Sequence, residues 1–315
     1  MELNTVHNID FLNNDLPDKC ANLIIADPPY FEVKGDFDFI WKTFDDYLKD
    51  VEKWALECKR ILADNGTLLW YGDAKNIAYA QIIFDKYFNL LNSIVWENTN
   101  DHKQQIRFNE DLRTFAPLTE RILMYDNAVN KTGLQEIYSD DNCFESIKEY
   151  LRSEKRKSKL TSKDLNILFS KYTNKKGCKD RSVMEHYWQK SQWVFPTEEI
   201  YKNIMQPTGY WQKPYEELRR PFNNALHLGD VIRLPNYETS NYDHDTVKPE
   251  KLTRILINTC SRKNDLVVVP FAGSGTECAM SAKEKRRFVG YEITEKHARM
   301  SNERAKKILK APTLF

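Results

Sequence analysis

Four consecutive residues early in the chain, Asp27-Pro28-Pro29-Tyr30, combine a carboxylate, a backbone carbonyl at a turn and an aromatic ring. They follow the apolar run 22–26, and two successive prolines can continue neither a strand ladder nor a helix, so the chain must turn here. The Asp27 carboxylate and the Pro28 carbonyl can accept hydrogen bonds from both N–H groups of an exocyclic amine, and the Tyr30 ring can stack on the attached base. The motif therefore predicts a nucleobase pocket that positions an amine for reaction. The simpler alternative is an acid-capped turn that two prolines stiffen.

A second motif, Pro270-Phe271-Ala272-Gly273-Ser274-Gly275-Thr276, follows the strand pattern 265–269 and precedes a helix pattern. Its glycines permit positive φ and allow backbone N–H groups to approach a ligand closely. Glu292 ends the next strand, where doubly wound folds place the carboxylate that binds ribose hydroxyls. The third glycine of the dinucleotide fingerprint is absent, which favours a cofactor that has a nucleoside but no diphosphate. S-adenosylmethionine fits this description, whereas a nicotinamide cofactor leaves the first motif unexplained.

The elements that must position these motifs alternate between strand and helix patterns along the chain. An amphipathic helix pattern covers residues 45–62, and Asn65-Gly66 is predicted to stop it. The alternation predicts an α/β fold in which parallel strands pair and helices cover the sheet. The other predicted helices are 77–87, 249–260, 277–285 and 296–309, and the predicted strands are 22–26, 67–71, 94–96, 121–125, 265–269 and 287–292.

The middle of the chain is basic, although the whole chain is nearly neutral, with 47 Lys and Arg against 46 Asp and Glu. Residues 148–190 hold thirteen basic and five acidic residues, a net charge of +8 that leaves −7 for the remainder. Thr161-Ser162-Lys163-Asp164 predicts the start of a helix through residue 170, and Ser182 predicts a second helix through about 190, a pattern typical of a helix-turn-helix. Such a module predicts binding to DNA phosphates, and the alternative is a solvated insertion. The candidate DNA-binding residues are Lys155, Arg156, Lys157, Lys175, Lys176, Arg181, Tyr187 and Gln189.

With the two motifs in this order, the sequence resembles the beta group of DNA amino-methyltransferases, in which the catalytic motif precedes the cofactor motif. The segment His244-Asp245-Thr246-Val247-Lys248-Pro249-Glu250-Lys251-Leu252 resembles that family's His-x-x-x-Lys-Pro-x-x-Leu segment, which lies against the cofactor. Asp10 resembles the acidic position near the cofactor's adenine. The resemblance covers residues 1–145 and 225–315, and phage-associated adenine methyltransferases with a helix-turn-helix insertion look most similar overall.

The resemblance implies a Rossmann-like sheet of a methyltransferase dependent on S-adenosylmethionine, with catalytic parts 1–147 and 207–315 around a basic, helical DNA-recognition insertion, 148–206. It implies transfer of a methyl group to N6 of an adenine flipped out of double-stranded DNA at a specific site. Asp27, Pro28, Pro29 and Tyr30 are then catalytic, and Asp10, Asp27, His244, Lys248, Glu292 and the second motif bind the cofactor. The expected partners are double-stranded DNA, a second copy in a homodimer, and a cognate restriction endonuclease in a restriction-modification system.

One position departs from the family pattern and bears on its function. Val269 stands directly before Pro270-Phe271, where the family commonly has an Asp that accepts a hydrogen bond from the methionine end of the cofactor. The first letter of the catalytic motif favours adenine N6, since cytosine-N4 enzymes usually begin with Ser. Two alternatives stay open: a cytosine-N4 DNA methyltransferase, and a DNA-binding regulator whose cofactor site has decayed.

Composition narrows the class of protein further. No apolar run approaches the roughly 18 residues of a transmembrane helix, and the first residues match no secretory signal, so we expect a cytoplasmic protein with no membrane partner. The six cysteines form no CxxC pair or His/Cys cluster, so we expect reduced thiols, with neither disulfides nor a metal site.

Overall fold

The structure is a computed structural model that describes residues 2–33, 38–127, 145–173, 183–188, 193–218, 220–237 and 247–310. The chain divides into two compact units, one made of Met1–Gly133 with Pro221–Phe315 and the other of Leu134–Arg220. The insertion predicted at 148–206 falls within the second unit. The boundaries 1–147, 148–206 and 207–315 themselves stay predictions.

The first unit contains all the helices and strands that the sequence predicts for the catalytic parts, with ends that differ by several residues. The described strands are β1 (Thr5–His7), β2 (Ala21–Ala26), β3 (Leu62–Gly72), β4 (Asn89–Asn98), β5 (Thr119–Asp126), β6 (Val231–Leu234), β7 (Leu266–Val269) and β8 (Arg287–Tyr291). The described α-helices of this unit are α1 (Phe44–Ile61), α2 (Ile77–Phe84), α3 (Asp101–Gln104), α7 (Glu250–Cys260), α8 (Thr276–Lys283) and α9 (Glu295–Lys310), and those of the second unit are α4 (Glu145–Ser158), α5 (Ser162–Thr173) and α6 (Glu198–Ile200).

The described strands form one mixed sheet in the order β1-β8-β7-β2-β3-β5-β4-β6. The predicted parallel pairing is confirmed where a long helix connects consecutive strands, from β2 through α1 to β3 and from β7 through α8 to β8. It is wrong for β5, which pairs antiparallel with both β3 and β4. The connection from β4 to β5 holds only α3 and one further short turn, and a parallel crossover normally needs a helix that can pack on the sheet.

Both faces of the sheet are buried, so its central strands are apolar at successive positions. In β2, Leu23 and Ile25 belong to one core cluster and Ile24 and Ala26 to the other. The first cluster includes residues of α7, α8 and α9, and the second includes residues of α1 and α2. The first unit is therefore a three-layer α/β/α fold, and the predicted Rossmann-like fold class is confirmed.

The end of α1 differs from the sequence prediction. The helix ends at Ile61, and Asn65-Gly66 lies inside β3 instead of stopping the helix. The pairing of β2 with β3 shifts there, from Ala21 opposite Leu62 to Leu23 opposite Thr67. A Cβ on Gly66 would lie 2.9 Å from the carbonyl oxygen of Ala21, so the glycine accommodates a close approach within an irregular strand pair.

The second unit is helical where it is described. Asp164 accepts a hydrogen bond from the Thr161 N–H at 2.7 Å and the Thr161 hydroxyl accepts one from the Asp164 N–H at 3.2 Å, so the predicted start of α5 is confirmed. The second predicted helix differs: Val183–Tyr187 forms a short 3₁₀ helix, and residues 181–182 and 189–190 lie outside the described residues. Trp211 is fully buried, stacks on Trp188 and donates to the Leu151 carbonyl at 3.1 Å.

Candidate active site

The two sequence motifs meet where the chain reverses the direction in which it builds the sheet. β2 is followed by β3 on one side, while β7, the neighbour of β2 on the other side, is followed by β8 in the opposite direction. Asp27 directly follows β2 and Pro270 directly follows β7. Open α/β sheets bind ligands at the carboxyl ends of the strands at such a switch point.

A cavity of about 950 Å³ opens at this edge of the sheet, and all its lining residues belong to the first unit. That volume lies at the upper end of the roughly 300–1,000 Å³ typical of small-molecule sites. The lining includes the candidate residues Asp10, Asp27, Pro28, Pro29, Tyr30, Lys248, Pro270, Phe271, Ala272, Gly273, Ser274 and Glu292. The structure therefore brings together most of the predicted catalytic and cofactor-binding residues, while Gly275 and Thr276 are not part of the lining and His244 lies outside the described residues.

The Asp27 carboxylate is held on both of its oxygens. The Tyr30 hydroxyl donates to Oδ1 at 2.6 Å, and the Lys248 ammonium lies 2.8 Å from Oδ2. Burial, followed by the charge of Asp27, raises the pKa of Tyr30 well above its usual value, so the hydroxyl keeps its proton and remains a donor. Each Asp27 oxygen has further lone pairs that can accept from a ligand.

Lys248 is a buried cation between two acids. Its side chain is 4% exposed, and its ammonium also lies 3.1 Å from Glu120 Oε2 and 5.1 Å from the centre of the Tyr71 ring. Burial acts to lower the pKa of Lys248, but the charges of Asp27 and Glu120 outweigh it and raise this pKa above its usual value. Lys248 thus remains an ammonium that holds the Asp27 carboxylate in place, a contact that adds to its predicted role beside the cofactor.

The glycine turn after β7 has the backbone geometry that its sequence predicts. Gly273 and Gly275 have φ of +47° and +78°, and the Gly275 N–H donates to the Ala272 carbonyl at 2.7 Å. A Cβ on Gly275 would lie 2.7 Å from Cα of Ser301 in α9, so only glycine allows this approach. The turn therefore requires glycine both for its conformation and for its packing.

Arg304 of α9 ties the glycine turn to α7. Its guanidinium donates to the Thr276 hydroxyl at 2.8 Å and to the Ser274 carbonyl at 3.2 Å, and it pairs with Glu250 at 2.8 Å. Arg304 is 7% exposed, so these contacts are largely shielded from solvent. The two helices on this side of the sheet thus fix the shape of the turn.

The two predicted acidic ligands lie on the cavity wall and are themselves held by backbone donors. Glu292 Oε2 accepts from the Gly273 N–H at 2.9 Å, and Oε1 accepts from the Thr294 N–H at the same distance. Asp10 accepts from the Leu12 N–H at 2.9 Å. Both carboxylates are thereby oriented and retain lone pairs for hydroxyl or amino groups of a ligand.

Two acidic residues at the cavity were not predicted from the sequence. Glu120 near the start of β5 pairs with Lys248 across a long stretch of sequence, and no local pattern indicates it. Glu277 in the first turn of α8 is 4% exposed, and its Oε1 has no hydrogen-bond partner among the described residues. The only sequence signal for Glu277 is a carboxylate placed directly after the glycine motif.

The candidate DNA-binding residues are placed only in part. In α4, Lys155 donates to the Leu160 carbonyl, Arg156 pairs with Glu149, and Lys157 lies 2.5 Å from Glu154. The Tyr187 side chain is buried, which does not favour contact with a base. Lys175, Lys176, Arg181 and Gln189 lie outside the described residues, so the DNA-binding role of the whole set stays a prediction.

Two further observations concern metal sites and membrane-spanning helices. Within the described residues no group of three His, Cys, Asp or Glu side chains is arranged to hold a metal ion. No helix in the described part of the chain is long and apolar enough to cross a membrane.

The fold and the cavity define a doubly wound α/β protein with a cavity of small-molecule size at its switch point. The family profile described as DNA methylase, for the N6/N4 class, matches residues 21–303. The chain belongs to this DNA methylase family. It is therefore a DNA methyltransferase, and the predictions of this enzyme class and of S-adenosylmethionine as its cofactor are confirmed.

Individual relatives are distant in sequence. The DNA adenine methyltransferase YhdJ of Escherichia coli is 25% identical over 90% of this chain and 76% of its own length. The type II methyltransferase M.HinfI of Haemophilus influenzae is 25% identical over 98% of this chain and 70% of its own length. Among solved structures, the DNA modification methylase TTHA0409 of Thermus thermophilus, a complex of which contains S-adenosylmethionine, has a TM-score of 0.53 at 18% identity, with 98% of this chain and 96% of that chain covered. The cytosine-N4-specific PvuII DNA methyltransferase also has a TM-score of 0.53, at 12% identity over 97% of this chain and 92% of that chain, and these two likenesses concern the fold.

Proposed function

We propose that the protein transfers a methyl group from S-adenosylmethionine to N6 of an adenine flipped out of double-stranded DNA at a specific site. The observation that carries this proposal is the position of the Asp27 carboxylate, which lies on the wall of one cavity together with the glycine turn. The Asp at the first position of the catalytic motif supports adenine over cytosine. The relative YhdJ, named a DNA adenine methyltransferase, supports the same choice.

The chain's own residues fit the cofactor on three grounds. The cavity is large enough, the first residues of the glycine turn, Pro270 to Ser274, line it, and two oriented carboxylates, Asp10 and Glu292, lie on its wall. In the proposal, Glu292 binds the ribose hydroxyls, Asp10 lies near the adenine, and the residues from Pro270 to Thr276 surround the methionine end. His244, Lys248 and Asp27 complete the proposed cofactor set.

The chemical step needs positioning more than acid–base catalysis. When bound, S-adenosylmethionine supplies an electrophilic methyl group on a sulfonium. The lone pair of the adenine N6 amine is delocalised into the ring, and acceptance of its two N–H bonds by Asp27 and the Pro28 carbonyl favours tetrahedral geometry at the nitrogen. Lys248 and Tyr30 fix the orientation of Asp27. As the new N–C bond forms, the S–CH3 bond would break to leave a thioether, and the extra proton on N6, acidic only from then on, can pass to the Asp27 carboxylate or to solvent.

The test is methylation of unmethylated duplex DNA, followed by digestion to nucleosides and mass spectrometry. The expected product is N6-methyladenine, and N4-methylcytosine in its place would refute the choice of base. Asp27→Asn keeps the shape of the side chain but removes its charge, so we expect methyl transfer to be lost while S-adenosylhomocysteine, which Asp27 also contacts in the proposal, still binds with a reduced affinity in calorimetry. Normal N6-methyladenine formation by this variant would refute the role of Asp27.

The family match disfavours the alternative of a DNA-binding regulator with a decayed cofactor site, which predicts a different result in the same assays. Such a protein would bind duplex DNA but show no heat of binding with S-adenosylhomocysteine and form no methylated nucleoside. The buried Val269 is the residue that motivates this alternative, because it removes an acidic ligand from the usual place. Calorimetry on the wild-type protein separates the two functions directly.

The finer assignments of partner and location belong to the same proposal. DNA is the substrate, and the basic segment 148–206 is proposed to contact its phosphates. A homodimer and a cognate restriction endonuclease remain predictions from the resemblance, and a cytoplasmic location remains a prediction from the composition and the first residues. M.HinfI is named a type II methyltransferase and M.BamHII of Bacillus amyloliquefaciens an orphan methyltransferase. Light scattering of the purified protein tests the dimer, and methylation-sensitive cleavage in lysates tests the nuclease.

A further inference from the structure

The acidic position that the family resemblance implies before Pro270-Phe271 is not replaced locally. Val269 is fully buried at the end of β7 and packs in the same core cluster as Leu23 and Leu252. It does not belong to the cavity lining, so position 269 supplies no acceptor for a ligand. The methionine end of the cofactor carries an α-ammonium group, which needs an acceptor from somewhere else in the cavity.

Glu277 is a buried acid on the cavity wall, and it forms no ion pair within the described residues. It lies in the first turn of α8, one residue beyond the glycine motif, and it lines the cavity together with Asp27 and Ser274. Its side chain is 4% exposed, and Oε1 has no hydrogen-bond partner among the described residues. A buried carboxylate oxygen with no partner is costly, and such an atom on a cavity wall indicates a group that arrives with the ligand.

The charges around Glu277 leave its demand for a cation unmet. Burial is the largest influence and, with repulsion from Asp27, raises the pKa of Glu277 to about 7, against smaller lowering effects from its own backbone N–H, from Lys248 and from Arg304. The Lys248 ammonium lies against Asp27 and Glu120. The Arg304 guanidinium bonds to Ser274, Thr276 and Glu250. The two nearby cations are thus engaged by other groups.

Asp27 is a poorer candidate for the same task. Each of its oxygens already has a partner within the chain, the Tyr30 hydroxyl and the Lys248 ammonium, and the proposed function reserves its remaining lone pairs for the target amine. The helix N-terminus at α8 favours an ionised Glu277, so the carboxylate can ionise fully once a cation comes within reach.

We propose that Glu277 binds the α-ammonium group of the cofactor's methionine moiety and so takes over the role of the acid that is absent at position 269. This inference deepens the proposed function, since it rests on S-adenosylmethionine occupying this cavity. The bond is a charge-assisted hydrogen bond between a desolvated carboxylate and an ammonium, which is about twice as strong as a neutral one.

The experiment compares two ligands that differ only at the amino-acid end. S-adenosylhomocysteine carries the ammonium, whereas 5′-methylthioadenosine has the same nucleoside and a thioether but no amino-acid group. We expect Glu277→Gln to weaken S-adenosylhomocysteine binding about 10- to 100-fold in calorimetry and to leave 5′-methylthioadenosine binding unchanged. Glu303→Gln, at an exposed position of α9, is the matched control and should change neither affinity.

A second readout follows from the proton on Glu277. Because binding requires the ionised carboxylate, the wild-type affinity for S-adenosylhomocysteine should fall as the pH drops below about 7, and the profile of Glu277→Gln should be flatter in this range. The groups whose charges act on Glu277 are Asp27, Lys248 and Arg304, and all three remain in the variant.

Three results would overturn the proposal, and they differ in meaning. Equal losses for both ligands would assign Glu277 a structural role, and an unchanged affinity for S-adenosylhomocysteine would assign it no role in binding. A wild-type protein that binds neither ligand would refute the cofactor site itself together with this inference. A melting temperature of Glu277→Gln no lower than that of the wild type supports a binding role, because the substitution removes a buried charge.

Discussion

Replacement of Lys248 by methionine is the most direct test of how the candidate active site is held together. The ammonium is 4% exposed and lies 2.8 Å from Asp27 Oδ2 and 3.1 Å from Glu120 Oε2. Methionine keeps most of the side-chain volume but leaves both carboxylates without their cation. Loss of one partner from a buried ion pair costs about 3–5 kcal/mol in the free energy of unfolding. We expect about 2–4 kcal/mol here, because the Glu120 side chain is 34% exposed and solvent screens part of its charge.

The assay is urea unfolding of four proteins: the wild type, Lys248→Met, Glu120→Gln and the double variant. Removal of the Glu120 charge leaves one uncompensated acid instead of two, so the double variant should be more stable than the sum of the single changes implies. We expect an interaction energy of about 1–2 kcal/mol from this cycle. Methyl transfer should fall in Lys248→Met, since Asp27 loses the contact that orients it.

A loss of less than about 1 kcal/mol in Lys248→Met, or strictly additive changes in the cycle, would refute a stabilising role for the buried Lys248 ammonium. Lys248→Arg is the matched control, because it keeps the positive charge. It should recover part of the stability, but a planar guanidinium cannot reproduce the position of a compact ammonium between two acids.

Three further predictions follow from other parts of the molecule. Gly275→Ala should lower the free energy of unfolding by about 1–3 kcal/mol, because φ is +78° and the new Cβ would meet Ser301. The control Gly229→Ala places its Cβ in open space and should leave the free energy of unfolding unchanged. Equal urea midpoints for the two variants would contradict the close approach. The wild type should lose stability relative to Glu277→Gln as the pH rises from 4.5 to about 7, because a carboxyl with a raised pKa binds its proton more tightly in the folded state than in the unfolded state. Parallel melting temperatures of the two proteins across this pH range would disprove the raised pKa. The affinity for duplex DNA should fall steeply with salt, and alanine at all three residues of Lys155-Arg156-Lys157 should flatten that dependence; an unchanged slope would return the segment to a solvated surface.

The sequence predicts well those features that depend on short-range patterns. The amphipathic spacing of α1 and the apolar runs of β2 and β7 locate the strands and helices within a few residues. The prolines and glycines of the two motifs also place Asp27 and the glycine turn at strand ends. The carboxyl end of a buried strand can be recognised from the neighbouring residues alone, without information about distant contacts. Family resemblance then supplies the roles that geometry alone leaves open.

Features that depend on distant partners were missed for a physical reason. The connection from β4 to β5 contains only α3 and a short 3₁₀ helix, neither of which can cover the sheet as the helix of a parallel crossover does, and β5 accordingly pairs antiparallel. The pairing of Lys248 with Glu120 joins segments more than a hundred residues apart, and each is unremarkable in its own neighbourhood. Glu277 follows a recognised motif, but only its burial and its empty oxygen distinguish it from an ordinary helix-start acid.

The order of strands in the sheet has a consequence for folding during synthesis on the ribosome. β1 pairs only with β8, and β2 has β7 as one of its two neighbours, so strands made first wait for partners that emerge last. Until the final segments appear, the nascent chain exposes the apolar side of β2 that α7, α8 and α9 later cover. Such non-local pairing slows folding and leaves apolar surfaces exposed, which favours aggregation. The Asp27 carboxylate likewise lacks its cation until Lys248 has been synthesised, so the candidate active site can be assembled only in the later part of synthesis.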